Sequence, residues 1–218
     1  MLAIPMKLEY GPTLGKLLAP RWHAASALRR RMVMLLGAGV LALLIGAGLT
    51  LENAHYSRGG AVPFHFSYRG LYRVAPEAGS IVTVRQRSSA GELRYSYAVG
   101  YFQLAPYTIE PLAELPLFAA QYIEGLARRL SGFQLRGEGK TKISSNVAPG
   151  YEILYTALVE GREVYGRNVL LLPEHRGARE GLAIAMLTGS GVSRQIQAPE
   201  EVATTGVLQL PLKSFAFG

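Results

Sequence analysis

Arg85 and Arg87 stand two residues apart, Arg94 opens the next apolar run, and Arg136, Lys140 and Lys142 fall at even spacing further along the chain. On an extended backbone, even spacing puts side chains on one face. Cations sharing a face among tyrosines can hold phosphate oxygens, so the chemistry they suit is binding of an anionic lipid headgroup or a phosphate-rich envelope polymer. The same pattern also suits a solvated sheet edge, where charge opposes edge-to-edge pairing. Sequence alone leaves both readings open.

Catalysis has fewer footholds. The chain has no cysteine, which excludes a disulfide, a thiolate nucleophile and a Cys-based metal site. All 15 acidic residues are glutamate, which removes an Asp-centred triad, an Asp dyad and an Asp-rich calcium loop together. His65 lies at a polar strand position and His175 in a Glu174-His175-Arg176 loop; neither has partners at metal-ligand spacing, and both read as solvated. Gly189-Ser190-Gly191 lacks the nucleophile-elbow pattern and a following helix. Two glutamates facing each other across a cleft would be needed for a glycosidase, and a single sequence does not display such a pair. No cofactor or metal is expected.

The elements that must position these residues are mostly strands. Phe64, Phe66 and Tyr68 alternate with His65 and Ser67, Ile81, Val82 and Val84 lead into Arg85 and Arg87, and Tyr95, Tyr97, Val99 and Tyr101 alternate through the run from Leu93 to Gln103. One amphipathic helix follows, starting between Pro111 and Pro116 and ending near Gly132, with Leu115, Phe118, Ala119, Tyr122, Leu126 and Leu130 on one side and Glu124 and Arg128 on the other. A polar strand from Phe133 to Ile143 comes next, then Tyr151, Ile153, Tyr155, Ala157 and Val159 alternate up to a tight turn at Glu160-Gly161. Val164 to Leu172 and the Leu182, Ile184, Met186, Thr188 series complete a meander, and Val207, Leu208, Leu210, Leu212, Phe215 and Phe217 form a short terminal element that packs back on the sheet. Strands before and after a single helix, without βαβ alternation, imply an α+β fold on an antiparallel sheet.

Ahead of this domain, Arg29, Arg30 and Arg31 precede 20 uncharged residues, Met32 to Leu51. At about 1.5 Å per residue that run spans roughly 30 Å, the thickness of a bilayer's hydrocarbon core. The arginines orient it with the N-terminus inside, and the domain after Glu52 outside the cytoplasmic membrane. A cleaved signal peptide also has a basic start and an apolar middle, but this basic region exceeds thirty residues and Gly46-Ala47-Gly48 offers no clear cleavage site. The expected organisation is a cytoplasmic basic tail over 1–31, a transmembrane helix over 32–51, a tether over 52–63 and an extracytoplasmic domain over 64–218. Within the tail, Leu14, Leu17, Leu18, Trp22 and Leu28 mix with Lys16 and Arg21, a pattern that fits either an inner-leaflet contact or a topogenic tail. Ala38, Ala42, Gly46 and Thr50 recur every four residues, a face on which two membrane helices can approach closely, giving a homo-oligomer or contact with another envelope protein. Small residues are also common in plain anchors.

Charge distribution bears on nucleic acid. The whole chain is +8, yet its first 31 residues hold six basic groups against Glu9, leaving 17 basic and 14 acidic residues for the rest. Most of the excess is a topology signal, so no nucleic-acid partner is expected.

The stretch Gly150-Tyr151-Glu152-Ile153-Leu154-Tyr155, then Glu160-Gly161-Arg162-Glu163-Val164 and the strand ending Asn168-Val169-Leu170-Leu171-Leu172, after a helix ending Gly132-Phe133, resembles the PsbP-type α/β/α sandwich. That fold is shared by photosystem extrinsic proteins, a small Ran-binding nuclear protein and bacterial envelope proteins and lipoproteins. The resemblance covers roughly residues 64 to 217 in element order. It implies a non-enzymatic binding or assembly module and carries over no site residue. The missing lipid-attachment cysteine departs from the lipoprotein members, and the helical anchor explains the departure. The functional expectation is therefore a membrane-anchored envelope binding or assembly module; a carrier or sensor of an apolar or anionic ligand is the alternative, and an envelope hydrolase the third.

Overall fold

A computed structural model describes residues 53–60, 62–104, 111–143, 148–172 and 179–218, together with 32, 35, 36, 38 and 39. The chain divides into two units, Met1–Glu52 and Asn53–Gly218. In the first, Met32, Leu35, Leu36, Ala38 and Gly39 are helical. The basic tail, Ala42, Gly46, Thr50 and the Glu174-His175-Arg176 loop lie outside the described residues, and among the described residues no helix is long and apolar enough to cross a membrane.

The second unit is built on strands β1 (Ala54–Arg58), β2 (Phe64–Tyr68), β3 (Tyr72–Val74), β4 (Ser80–Arg87), β5 (Leu93–Gln103), β6 (Ser131–Ile143), β7 (Ala148–Val159), β8 (Arg162–Leu171), β9 (Glu180–Gly189) and β10 (Ala216–Phe217), with helices α1 (Pro111–Arg129) and α2 (Gln209–Ser214). Seven strands form one antiparallel sheet in the order β3-β4-β5-β9-β8-β7-β6; the other three form a smaller sheet, β1-β2-β10. The fold is thus α+β and mostly antiparallel. One expectation changes here: Ala54–Arg58, read as tether, is a strand paired along its whole length with β2. Tyr56 explains the pairing, since it packs between Phe64 and Phe66 at ring separations of 5.8 and 5.4 Å. Flanking Ser57, Gly59 and Gly60 had masked that single aromatic anchor.

Period-two sequences fill both faces of the large sheet. Tyr151, Ile153, Tyr155 and Ala157 of β7 and Val164 and Leu170 of β8 meet Leu115, Phe118, Ala119 and Leu126 of α1. The alternate residues Val169 and Leu171 of β8, with Leu182, Ile184 and Met186 of β9 and Tyr97 and Val99 of β5, face the opposite way. There they pack under Phe64 and Phe66 of β2 and under Leu208, Leu212 and Phe215 around α2. Burying each such aliphatic or aromatic side chain contributes ~1.5–3 kcal/mol, which is why a strand like β8 is apolar on both sides. The Glu124–Arg128 pair on α1 stays in solvent, at 3.8 Å, and contributes little.

Two local devices set the register. Glu160 and Gly161 both have positive φ, 54° and 76°, the twist that a two-residue β7–β8 hairpin requires. In β6 the register shifts between Leu135 and Gly137, so residues before and after this bulge no longer share a face by parity. The polar network beneath α1 is closed: Tyr155 Oη donates to Asn168 Oδ1 at 3.2 Å, and Asn168 Nδ2 donates to Tyr122 Oη at 3.1 Å. Burial pushes the Tyr155 and Tyr122 phenols up, so both remain neutral donors and acceptors.

Gly166 on β8 lies against the Tyr155 ring, and a Cβ added there would run into Tyr155 Cζ and Cε2. Because that ring is buried and held by Asn168, Gly166→Ala is expected to lower unfolding stability by ~1–3 kcal/mol. Gly139→Ala on the edge strand β6, where a new Cβ meets nothing within 4 Å, is expected to stay within about 0.5 kcal/mol of the parent. Denaturant unfolding of the two variants against the parent measures both.

Candidate functional site

The six cations singled out by spacing do not act as one set. Arg85 Nη2 lies 2.6 Å from Glu77 Oε2, and its Nε donates to Ser96 Oγ at 3.1 Å. Arg87 grips Glu160 with two bonds of 3.0 and 2.8 Å and also donates to the Gly91 carbonyl. Arg162 pairs with Glu92 at 2.6 Å, so the turn after β4 and the turn after β7 are stapled together twice. Arg94 is exposed on β5. The Arg136 Nε donates to Thr156 Oγ1 at 3.4 Å at the bulge, and Lys140 stands opposite Tyr151 on the outer strand of the sheet. For Arg85 and Arg87, the charge that would have met an anionic ligand is already met by glutamate. Lys140 and Arg136 fall on the β6 edge, where charge guards against pairing with another chain.

Lys142 has a different setting. At the end of β6 it borders an open cavity of about 560 Å³ together with Arg167 of β8 and Lys213 of α2. Ile143, Ala203 and Leu212 supply the apolar part of the lining. Three cation-bearing residues from elements far apart in sequence line it because α2 is held down on the other side of the sheet. Tyr97 Oη donates to the Pro211 carbonyl at 3.4 Å, while Ser67 N donates to Ser214 Oγ at 2.8 Å. Pro211 and Leu212 are buried, so Lys213, the next residue, is turned to the surface.

Arg167 is the unusual member. Its neighbours Val169 and Leu171 on the same face belong to the core, yet its own side chain is only 14% exposed. Nη2 lies 2.8 Å from Glu152 Oε2, Nη1 donates to the Val202 carbonyl at 3.1 Å, and the buried Nε has no partner among the described residues. Glu152 is its diagonal neighbour across the β7–β8 pair, in which Leu154 stands directly opposite Arg167. Lys142 and Lys213, by contrast, are exposed at the mouth. Neither has an ion pair among the described residues. Counting Glu152, the cavity carries an excess of two positive charges.

Spacing found Lys142 but not Arg167 or Lys213. A signal for Arg167 was present: a cation at an inward-facing position of a strand whose other inward residues are apolar. Buried charges occur where they are paired or where they serve a site. Nothing in the sequence marked Lys213, since its place depends on how α2 docks.

The histidine reading changes slightly. His65 is half-buried, with its ring 5.7 Å from that of His55, and His55 Nδ1 lies 3.2 Å from Ser67 Oγ. Among the described residues, no three His or Glu side chains converge as metal ligands would. Ser190 follows β9 in a turn, with its N–H donating to the Glu163 carbonyl at 3.0 Å.

No protein-family model matches the chain, and no curated protein matches its sequence. Solved structures do match. The chain is similar to cyanobacterial PsbP (CyanoP) from Synechocystis, with 13% identity, coverage of 76% of this chain and 92% of that one, and a TM-score of 0.50. It is also similar to LpqN of Mycobacterium tuberculosis, described as involved in cell envelope biogenesis, with 8% identity, coverage of 76% and 91%, and a TM-score of 0.52. At these identities the likeness establishes the fold, which is PsbP-like.

The Arg87–Glu160 pair yields a pH signature. Its hydrogen bond to Arg87 holds the Glu160 carboxyl below its ordinary value. The pair's contribution is therefore full above the unfolded-state carboxyl value of about 4.3 and is lost as pH falls through the lower folded value. Glu160→Gln is expected to melt below the parent at pH 7, with the gap closing towards pH 3 and in 1 M salt, which screens so exposed a pair. Thermal unfolding at the two pH values checks this.

Proposed function

We propose that this chain is a single-pass membrane protein of the cell envelope that presents its PsbP-like domain outside the cytoplasmic membrane as a binding or assembly module without catalytic activity. The observation that carries the anchor is the uncharged run Met32–Leu51 behind Arg29-Arg30-Arg31. Its described helical residues Met32, Leu35 and Leu36 are 58%, 72% and 67% exposed, large apolar surfaces that lipid accommodates and water does not. The arginines would keep the N-terminus in the cytoplasm. Support for a binding role comes from the cation-rich cavity beside α2 and from the kinship in fold with an envelope-biogenesis protein.

A carrier or sensor role is the second reading, favoured by the same cavity, whose volume of about 560 Å³ lies in the range of small-molecule sites. The first reading takes another envelope protein or a second copy as its partner, and the second an apolar or anionic ligand. In the first, the small-residue face Ala38, Ala42, Gly46 and Thr50 brings the anchor against a second copy or another envelope protein.

Full-length protein is expected in the membrane fraction after alkaline carbonate washing, and protease added to spheroplasts is expected to degrade the domain while sparing an N-terminal tag. Leu35→Arg with Leu36→Arg is expected to move the protein out of the membrane, since each arginine at helix depth costs ~2.5–3.5 kcal/mol. Recovery of the parent in the soluble fraction would exclude the anchor. Separately, Ala42→Leu with Gly46→Leu is expected to reduce in-membrane cross-linking at least severalfold; unchanged cross-linking would exclude packing through that face.

A further inference from the structure

We propose that the cavity between the end of β6, β8 and α2 binds a phosphomonoester carrying an aliphatic chain. The inference deepens the binding-module reading and rests on it, but concerns the site itself. Three features of the cavity argue for this ligand class. First, its cations outnumber its carboxylates by two: Lys142 and Lys213 have no ion pair among the described residues, and Arg167 is matched by Glu152. A phosphomonoester carries about −1.5 to −2 at neutral pH, whereas a carboxylate or phosphodiester supplies only one negative charge. Second, the cations differ in mobility. Arg167 is fixed by Glu152 and the Val202 carbonyl at the inner end, while the two exposed lysines at the rim can swing as point charges onto phosphate oxygens. Third, the wall is not polar throughout. Ile143, Ala203 and Leu212 contribute buried apolar surface continuous with the core, where a chain of methylenes gains by leaving water.

A second charge-bearing hollow, about 210 Å³ around Glu92, Glu160, Arg162 and Glu163, lacks this surplus, because its arginine is paired with glutamate. The Arg85–Arg87 face is likewise neutralised from within. Among the described residues, the β6–β8–α2 cavity brings fixed positive charge, rim lysines and an apolar wall together. Glu152 tunes the site by cancelling part of the Arg167 charge.

The test is calorimetric titration of the full chain in neutral detergent with three probes: hexyl phosphate, inorganic phosphate and hexylphosphocholine. Hexyl phosphate is expected to bind saturably, at least about tenfold more tightly than either of the others, and more weakly as salt rises. Lys142→Ala with Lys213→Ala is expected to weaken it at least tenfold; both positions are at the surface, so the fold should persist and far-UV circular dichroism verifies that. Glu152→Gln, which removes the countercharge while keeping the side chain's shape, is expected to strengthen binding severalfold. Equal affinity for inorganic phosphate would show an anion site without the aliphatic component and overturn the proposal, as would equal affinity for hexylphosphocholine or an unchanged double variant. Because membrane association is measured by fractionation, failure here would leave the anchor standing, and failure of the anchor would leave this binding measurable.

Discussion

Strand β8 is apolar on both faces, with Val164 and Leu170 under α1 and Val169 and Leu171 under the small sheet and α2. A central strand of this kind must be covered twice, and the rest of the domain follows from that constraint. A single amphipathic helix covers one side. Covering the other side takes pieces from both ends of the domain: β1 and β2 from its start, and α2 and β10 from its finish. The smaller sheet, in which β10 pairs with β2, is how those two ends are tied together.

The cavity is a consequence of that second covering. The described part of β6 ends at Ile143, and α2 runs from Gln209 to Ser214. Between them stays a hollow floored by Arg167 and rimmed by lysines from each side. An arginine on an otherwise apolar strand face costs desolvation, which Glu152 and the Val202 carbonyl offset. Replacing a buried ion pair with apolar residues of similar volume is often neutral for stability, so the pair by itself is weak evidence of stabilisation.

Much of the fold was legible in the sequence because period two is a direct imprint of a half-buried strand. The alternation of Tyr151, Ile153, Tyr155 and Ala157, the Glu160-Gly161 turn and the one-sided stripe of α1 each arise from local geometry, and each stands where the sequence put it. Strand β1 escaped notice because its pairing depends on Tyr56 meeting β2, a contact that no local pattern announces. The site was less legible for a related reason. Even spacing on β4 and β6 groups side chains by face but is blind to partners arriving from elsewhere: Glu160 from the β7–β8 turn removed Arg87 from consideration, and the β6 bulge separated Arg136 from the lysines. Lys142 shares a cavity with Arg167 and Lys213 only through long-range docking of α2.

If the domain binds its ligand in the hollow left by incomplete covering of the sheet, the contact must map to residues far apart in sequence. Heteronuclear NMR of the full chain in neutral micelles, titrated with hexyl phosphate, tests this most directly. The account predicts saturating shifts confined to Lys142 and Ile143 of β6, Arg167 of β8 and the stretch from Ala203 to Lys213. Shifts centred instead on Arg85, Arg87 and Arg94, or spread evenly over surface lysines and arginines without saturation, would contradict it.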